Sequence, residues 1–109
     1  MGKDNRNQKA KNLRETELND IRAVMALPQG RRLIQRVLVR SGKDTEQFTG
    51  NSLMFFKSGL RDMGIWLEAE VKEADIKNWF EMIKEAHYLE LEEKIKRNNE
   101  IEREEEENG

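Results

Sequence analysis

The chain contains one imidazole, and its surroundings decide whether that imidazole can do chemistry. His87 would have to carry any histidine-based metal site or Ser-His-Asp relay alone. In di-iron helical bundles an acid stands three residues before the histidine so that both reach one metal; here that position is Lys84. Carboxylates are abundant, yet they stand at polar helical positions beside Lys or Arg, where nothing raises a pKa toward a general acid's working range. Pro28-Gln29-Gly30-Arg31-Arg32 supplies one glycine, whereas a loop that cradles phosphate needs several so that backbone amides converge. There is no cysteine, which removes disulfides, thiolate-ligated metals and thiol nucleophiles. These readings point away from an enzyme and predict no cofactor and no metal site.

What remains is the chemistry of charge. Arg32, Arg36 and Arg40 recur every four residues, which lines them along one face of a helix, with Arg31 beside them. Guanidinium groups on a rigid rod can grip phosphate or carboxylate oxygens. With another helix ahead of it, the segment has the outline of a helix-turn-helix, whose second helix enters a major groove. Gln35, however, is the one residue there suited to a base edge. A solvated face is the plain reading; an acidic protein partner ranks next and nucleic acid after it.

The elements that must position these residues are helices in a single small domain. The chain has 109 residues, 36% hydrophobic and 39% charged, enough for one thin core, with self-association or partners as further sources of stability. No run approaches the roughly 18 apolar residues of a membrane span, and no apolar leader opens the sequence, so synthesis in a cytoplasm is expected. The net charge of −2 hides an asymmetry. Residues 1–40 hold ten Lys/Arg against four Asp/Glu, and residues 41–109 hold ten against eighteen, giving +6 and −8. Such a chain can pair with copies of itself or lay a basic arm on an acidic surface.

Residues 1–14 have almost no apolar period and read as a basic flexible arm, residues 15–97 as the helical domain, and residues 98–109 as an acidic tail. Thr16 is the expected N-cap of a first helix carrying Leu18, Ile21, Val24 and Met25 through to Leu27. Pro28 marks a kink or a new start. The second segment presents Leu33, Ile34, Val37 and Leu38 and stops at Ser41-Gly42, where glycine suits a left-handed cap. After a polar connection anchored by Phe48, Asn51 or Ser52 can cap a third helix running to about Ala74, with Gly50 freeing the backbone before it. Its stripes, Leu53/Phe56/Leu60/Met63/Leu67/Val71 and Phe55/Gly59/Trp66, predict two packing neighbours. Asp75 is the expected cap of a fourth helix. This helix places Ile76, Trp79, Phe80, Ile83 and Ala86 on its apolar side, then Tyr88, Leu91 and Ile95. Glu90/Lys94, Glu92/Lys96 and Glu93/Arg97 are spaced for i,i+4 pairs on a protruding second half. The fold class predicted is all-α, a small antiparallel bundle of three to four helices with a long charged C-terminal helix.

Two segments carry a resemblance. Asp20-Ile21-Arg22-Ala23-Val24-Met25-Ala26-Leu27-Pro28-Gln29-Gly30-Arg31-Arg32 is one. The other is Phe48-Thr49-Gly50-Asn51-Ser52 continuing to Phe55-Phe56-Lys57-Ser58-Gly59-Leu60-Arg61-Asp62-Met63-Gly64. They resemble the small helical domain of structural proteins of short-tailed bacteriophages, described from a Bordetella phage, over about Leu18 to Glu85. The resemblance implies a virion or virion-assembly role, localisation in the virion and in the host cytoplasm during assembly, other particle proteins as partners, and no catalytic residues. It also marks Pro28, Gly30, Phe48, Gly50, Asn51, Ser52, Phe55, Phe56, Gly59 and Gly64 as structural. In the resembled pattern a small hydroxyl residue precedes the proline; Leu27 here predicts one continuous, kinked helix. Gly59 and Gly64 read as places of close backbone approach, and Arg61 as the partner of a buried carboxylate or of another molecule.

The expectation is thus a non-enzymatic phage structural or assembly protein that binds other particle proteins through helical faces and charged arms. Arg31, Arg32, Arg36, Arg40 and Arg61 are its candidate contacts. A small DNA-binding module using the basic arm and the Arg32/Arg36/Arg40 face is one alternative. A regulatory inhibitor whose acidic tail mimics nucleic acid is another.

Overall fold

A computed structural model describes residues 2–45 and 52–109, and among them every regular element is helical. Four helices follow one another: α1 (Gly2–Met25), α2 (Pro28–Ser41), α3 (Ser52–Ala74) and α4 (Ile76–Asn108). The all-α class read from the sequence is the class observed.

Each break has a local cause. Leu27 sits at φ −98° and ψ 134°, with no side-chain cap, and Pro28 opens α2. A proline ring clashes with helical backbone on the residue before it and pushes that residue to extended angles, so the kinked continuous helix expected here is two helices. Gly30 completes the corner. A Cβ on it would lie 1.9 Å from the Val24 carbonyl oxygen, so only glycine lets α2 start this close to the end of α1. Gly42 ends α2 in the left-handed region, at φ 68°, and its amide donates to the Val39 carbonyl at 3.1 Å. Asp75 is a one-residue joint between α3 and α4; its carboxylate accepts from the Asn78 amide at 3.1 Å, as an N-cap should.

The chain ends depart from expectation. Residues 2–14, read as an arm, continue α1, and Thr16 lies within that helix, its hydroxyl donating to the Asn12 carbonyl at 3.0 Å instead of capping. Residues 98–108 extend α4 as an exposed rod. Lys, Arg, Gln and Glu are good helix formers even where they bury nothing. The three i,i+4 pairs expected on α4 do not close, since such exposed pairs gain too little to freeze two long side chains.

The core takes residues from all four helices: Leu18 and Met25 from α1, Leu38 from α2, Val71 and Ala74 from α3, Trp79 and Met82 from α4. Ile21, Ile34 and Leu67 pack around it. The layer is flat, 82 × 39 × 15 Å, and its radius of gyration is 20.4 Å, against about 13 Å for a compact chain of this length. A slab this thin encloses only its centre. The rest of each apolar stripe meets water.

Candidate interaction surfaces

Charged side chains divide into those that hold the helices together and those left facing outward. Arg31 belongs to the first group. Its Nε donates to Glu85 Oε1 at 2.6 Å and a terminal nitrogen donates to the Met25 carbonyl at 2.9 Å, so one guanidinium joins the end of α1, the start of α2 and the middle of α4. Its side chain is 12% exposed, which makes it a structural residue where an external contact was expected. Arg14 does similar work between α1 and α3, meeting Glu70 and, at 2.6 Å, Glu73, with Glu17 at 3.0 Å on its own helix. The hydrogen bond from Arg14 holds the Glu70 carboxyl below its ordinary range despite the opposing effect of burial. Arg22 donates to the Ala74 carbonyl at 2.7 Å and so satisfies the last turn of α3.

Lys43 closes the corner after α2. Its ammonium stands 5.9 Å from the ring centre of Trp79, and Lys72 lies over the same ring at 5.2 Å. Glu68 ties both lysines together, at 2.5 and 2.8 Å. Hydrogen bonds from Lys43 and then Lys72 pull the Glu68 carboxyl below its ordinary range. Burial pushes the Lys43 ammonium down, but its bonds to Glu68 and Asp44 outweigh this and leave it raised. None of these clasps was read from the sequence. Arg14 lay in the supposed arm, and Lys43 in the connection.

Arg61 donates its Nε to the Lys43 carbonyl at 3.0 Å and is exposed. Among the described residues its partner is therefore backbone, not the buried carboxylate expected. Arg32, Arg36 and Arg40 are exposed and make no ion pair among the described residues. Arg32 and Arg36 line a groove of about 900 Å³ between α2 and α4, with Val39, Met82, Ala86 and Leu89 giving it an apolar floor. Arg40 lies outside it.

No family model, curated protein or solved structure matches this chain. The surfaces must therefore speak through their own residues.

The resembling positions split in the same way. Pro28 and Gly30 build the α1–α2 corner. Gly64 is buried, and a Cβ on it would meet Ser41 Oγ at 2.0 Å and Ser41 Cβ at 2.7 Å, so it is the close approach expected. Gly59 is not: nothing lies within 4 Å of a Cβ built there. Phe55 and Phe56 are 74% and 65% exposed, and Leu53, Leu60, Met63 and Trp66 are also exposed. The two packing neighbours expected along the whole of α3 are present only for its second half. Phe48, Gly50 and Asn51 lie outside the described residues, as does the side chain of Ser52, which opens α3. Among the described residues no group of three or more His, Cys, Asp or Glu could hold a metal ion, and no helix is long and apolar enough to cross a membrane.

Proposed function

We propose that this chain is a non-enzymatic structural or assembly protein of a bacteriophage particle, present in the virion and, during assembly, in the host cytoplasm. Its contacts within the particle run through the Arg32/Arg36 groove, toward other particle proteins, and through the outward face of α3, toward other particle proteins or further copies of this chain. The observation that carries the reading is the division within the two phage-resembling segments. Pro28, Gly30, Arg31 and Gly64 serve the fold, whereas Phe55, Phe56 and Gly59 face outward with no packing role among the described residues. A contiguous apolar face on a protein this thin marks a contact surface.

The test is mass spectrometry of purified particles after cross-linking. The reading expects this polypeptide in stoichiometric amount, with cross-links to other particle proteins from Lys57 on α3 or from Lys94, which lines the groove. Particles that lack it would remove the virion role. A second reading, contact with duplex DNA, draws on Arg32, Arg36 and Arg40, which are exposed and form no ion pair among the described residues. Three phosphate contacts would give a logarithmic salt slope of roughly −2.7. Binding that ignores both salt and Arg→Ala changes on this face would end that reading.

A further inference from the structure

We propose that the first half of α3 is a self-association face, and that its occupant is a second copy of this chain lying antiparallel across Gly59. This inference rests on the face alone and stands apart from the phage reading.

Three observations carry it. The first is Gly59 itself. Glycine is the poorest helix former after proline, and this one stands in the interior of α3 with nothing within 4 Å of a Cβ built there. Among the described residues nothing packs against it, whereas a second helix crossing at that point could approach closely.

The second is area. The chain exposes 9043 Å², where a folded monomer of 12.9 kDa exposes roughly 6,300 Å². A standard interface takes about 800 Å² from each partner. Phe55, Phe56 and Trp66, at 74%, 65% and 55% exposure, present roughly 400 Å² between them. Met63, 61% exposed on the same side, adds to this, while Leu53 and Leu60 lie about 100° or more round the helix and only border the face.

The third is complementarity. Lys57, Arg61 and Asp62 are the only charged residues between Leu53 and Met63, so the face has little net sign with which to select a charged partner. The face is also arranged around its glycine: Phe55 lies four residues before Gly59 and Met63 four after. A two-fold axis there places Phe55 of each copy on Met63 of the other, a thioether against an aromatic ring.

Sedimentation equilibrium of the full chain tests the proposal, with Gly59→Gln and Phe55→Glu beside it. At about 100 μM the native chain is expected to be a dimer. Gly59→Gln adds a side chain where a single copy has open space, so helix content at low concentration holds or rises while the dimer dissociation constant rises at least tenfold. Phe55→Glu abolishes the dimer. Because the chain has no cysteine, a Phe55→Cys/Met63→Cys variant should form a covalent dimer on oxidation, and Phe55→Cys alone should not. Within one helix those positions are about 12 Å apart, too far for an internal disulfide. A native chain that stays monomeric overturns the proposal, as does a dimer indifferent to Gly59→Gln and Phe55→Glu. A double-cysteine variant that fails to cross-link overturns the antiparallel register.

Discussion

The two halves of α3 carry the same apolar rhythm and meet opposite fates. Leu67, Val71 and Ala74 turn into the core, while Leu53, Phe56, Leu60 and Met63 stand in water. The two stretches do not differ in hydrophobicity so much as in company. α2 ends at Ser41, against Gly64, and no other described helix runs along the earlier turns. Periodicity therefore specifies that a face is apolar; the lengths and directions of the neighbours decide whether that face is interior or interface.

The sharpest way to break this comparison is truncation on either side of it. Met82→Ala, in the core that receives the second half of α3, should cost about 2–5 kcal/mol in denaturant unfolding. Phe56→Ala, measured at low protein concentration, should stay within about 0.5 kcal/mol. Equal costs would mean that the first half is covered within a single chain. The arginines of α2 give the same contrast in charge. Arg31→Ala removes charge-assisted bonds that join three helices and should cost about 1.5–3 kcal/mol. Arg36→Ala, on the groove rim, should again stay within about 0.5 kcal/mol.

Glycine substitutions sharpen the comparison by changing sign. Gly64→Ala drives a methyl into Ser41 and should cost about 1–3 kcal/mol, part of which a second change, Ser41→Gly, should recover. Gly59→Ala should stabilise the dilute chain by up to about 1 kcal/mol. The smallest effect is in pH. Glu68 and Glu70 are held below the usual value of 4.5, so what they contribute is complete above that value and is lost as pH falls through their lowered values. Lys43 is raised above its usual 10.5, so its contribution is complete below that value and fades as pH rises through the raised one. Glu68→Gln and Glu70→Gln should each flatten the acid limb of a plot of Tm against pH.

Local signals were legible in the sequence because local chemistry settles them. Asp75 as a cap and Gly42 as a left-handed stop depend on near neighbours, whereas the apolar side expected of α4 includes the buried Trp79 but not the buried Met82, and its Ile76, Phe80 and Ile83 are exposed. The α1–α2 corner departs from the kinked helix that the missing hydroxyl at Leu27 suggests, because the steric demand of Pro28 acts on the backbone of Leu27 whatever its side chain. The clasps of Arg14, Arg31 and Lys43 were missed because their partners lie 56, 54 and 25 residues away, and no period in the sequence announces such distant pairs. Burial along α3 was overestimated for the same reason: an apolar stripe carries no information about how far its neighbour extends.

Amide hydrogen exchange tests the central claim most directly, because it reads both halves of α3 in one experiment across protein concentration. Protection over residues 53–63 should be weak in dilute protein and rise steeply with concentration, while protection over residues 67–74 stays high throughout. Concentration-independent protection of equal strength across both stretches would contradict the account.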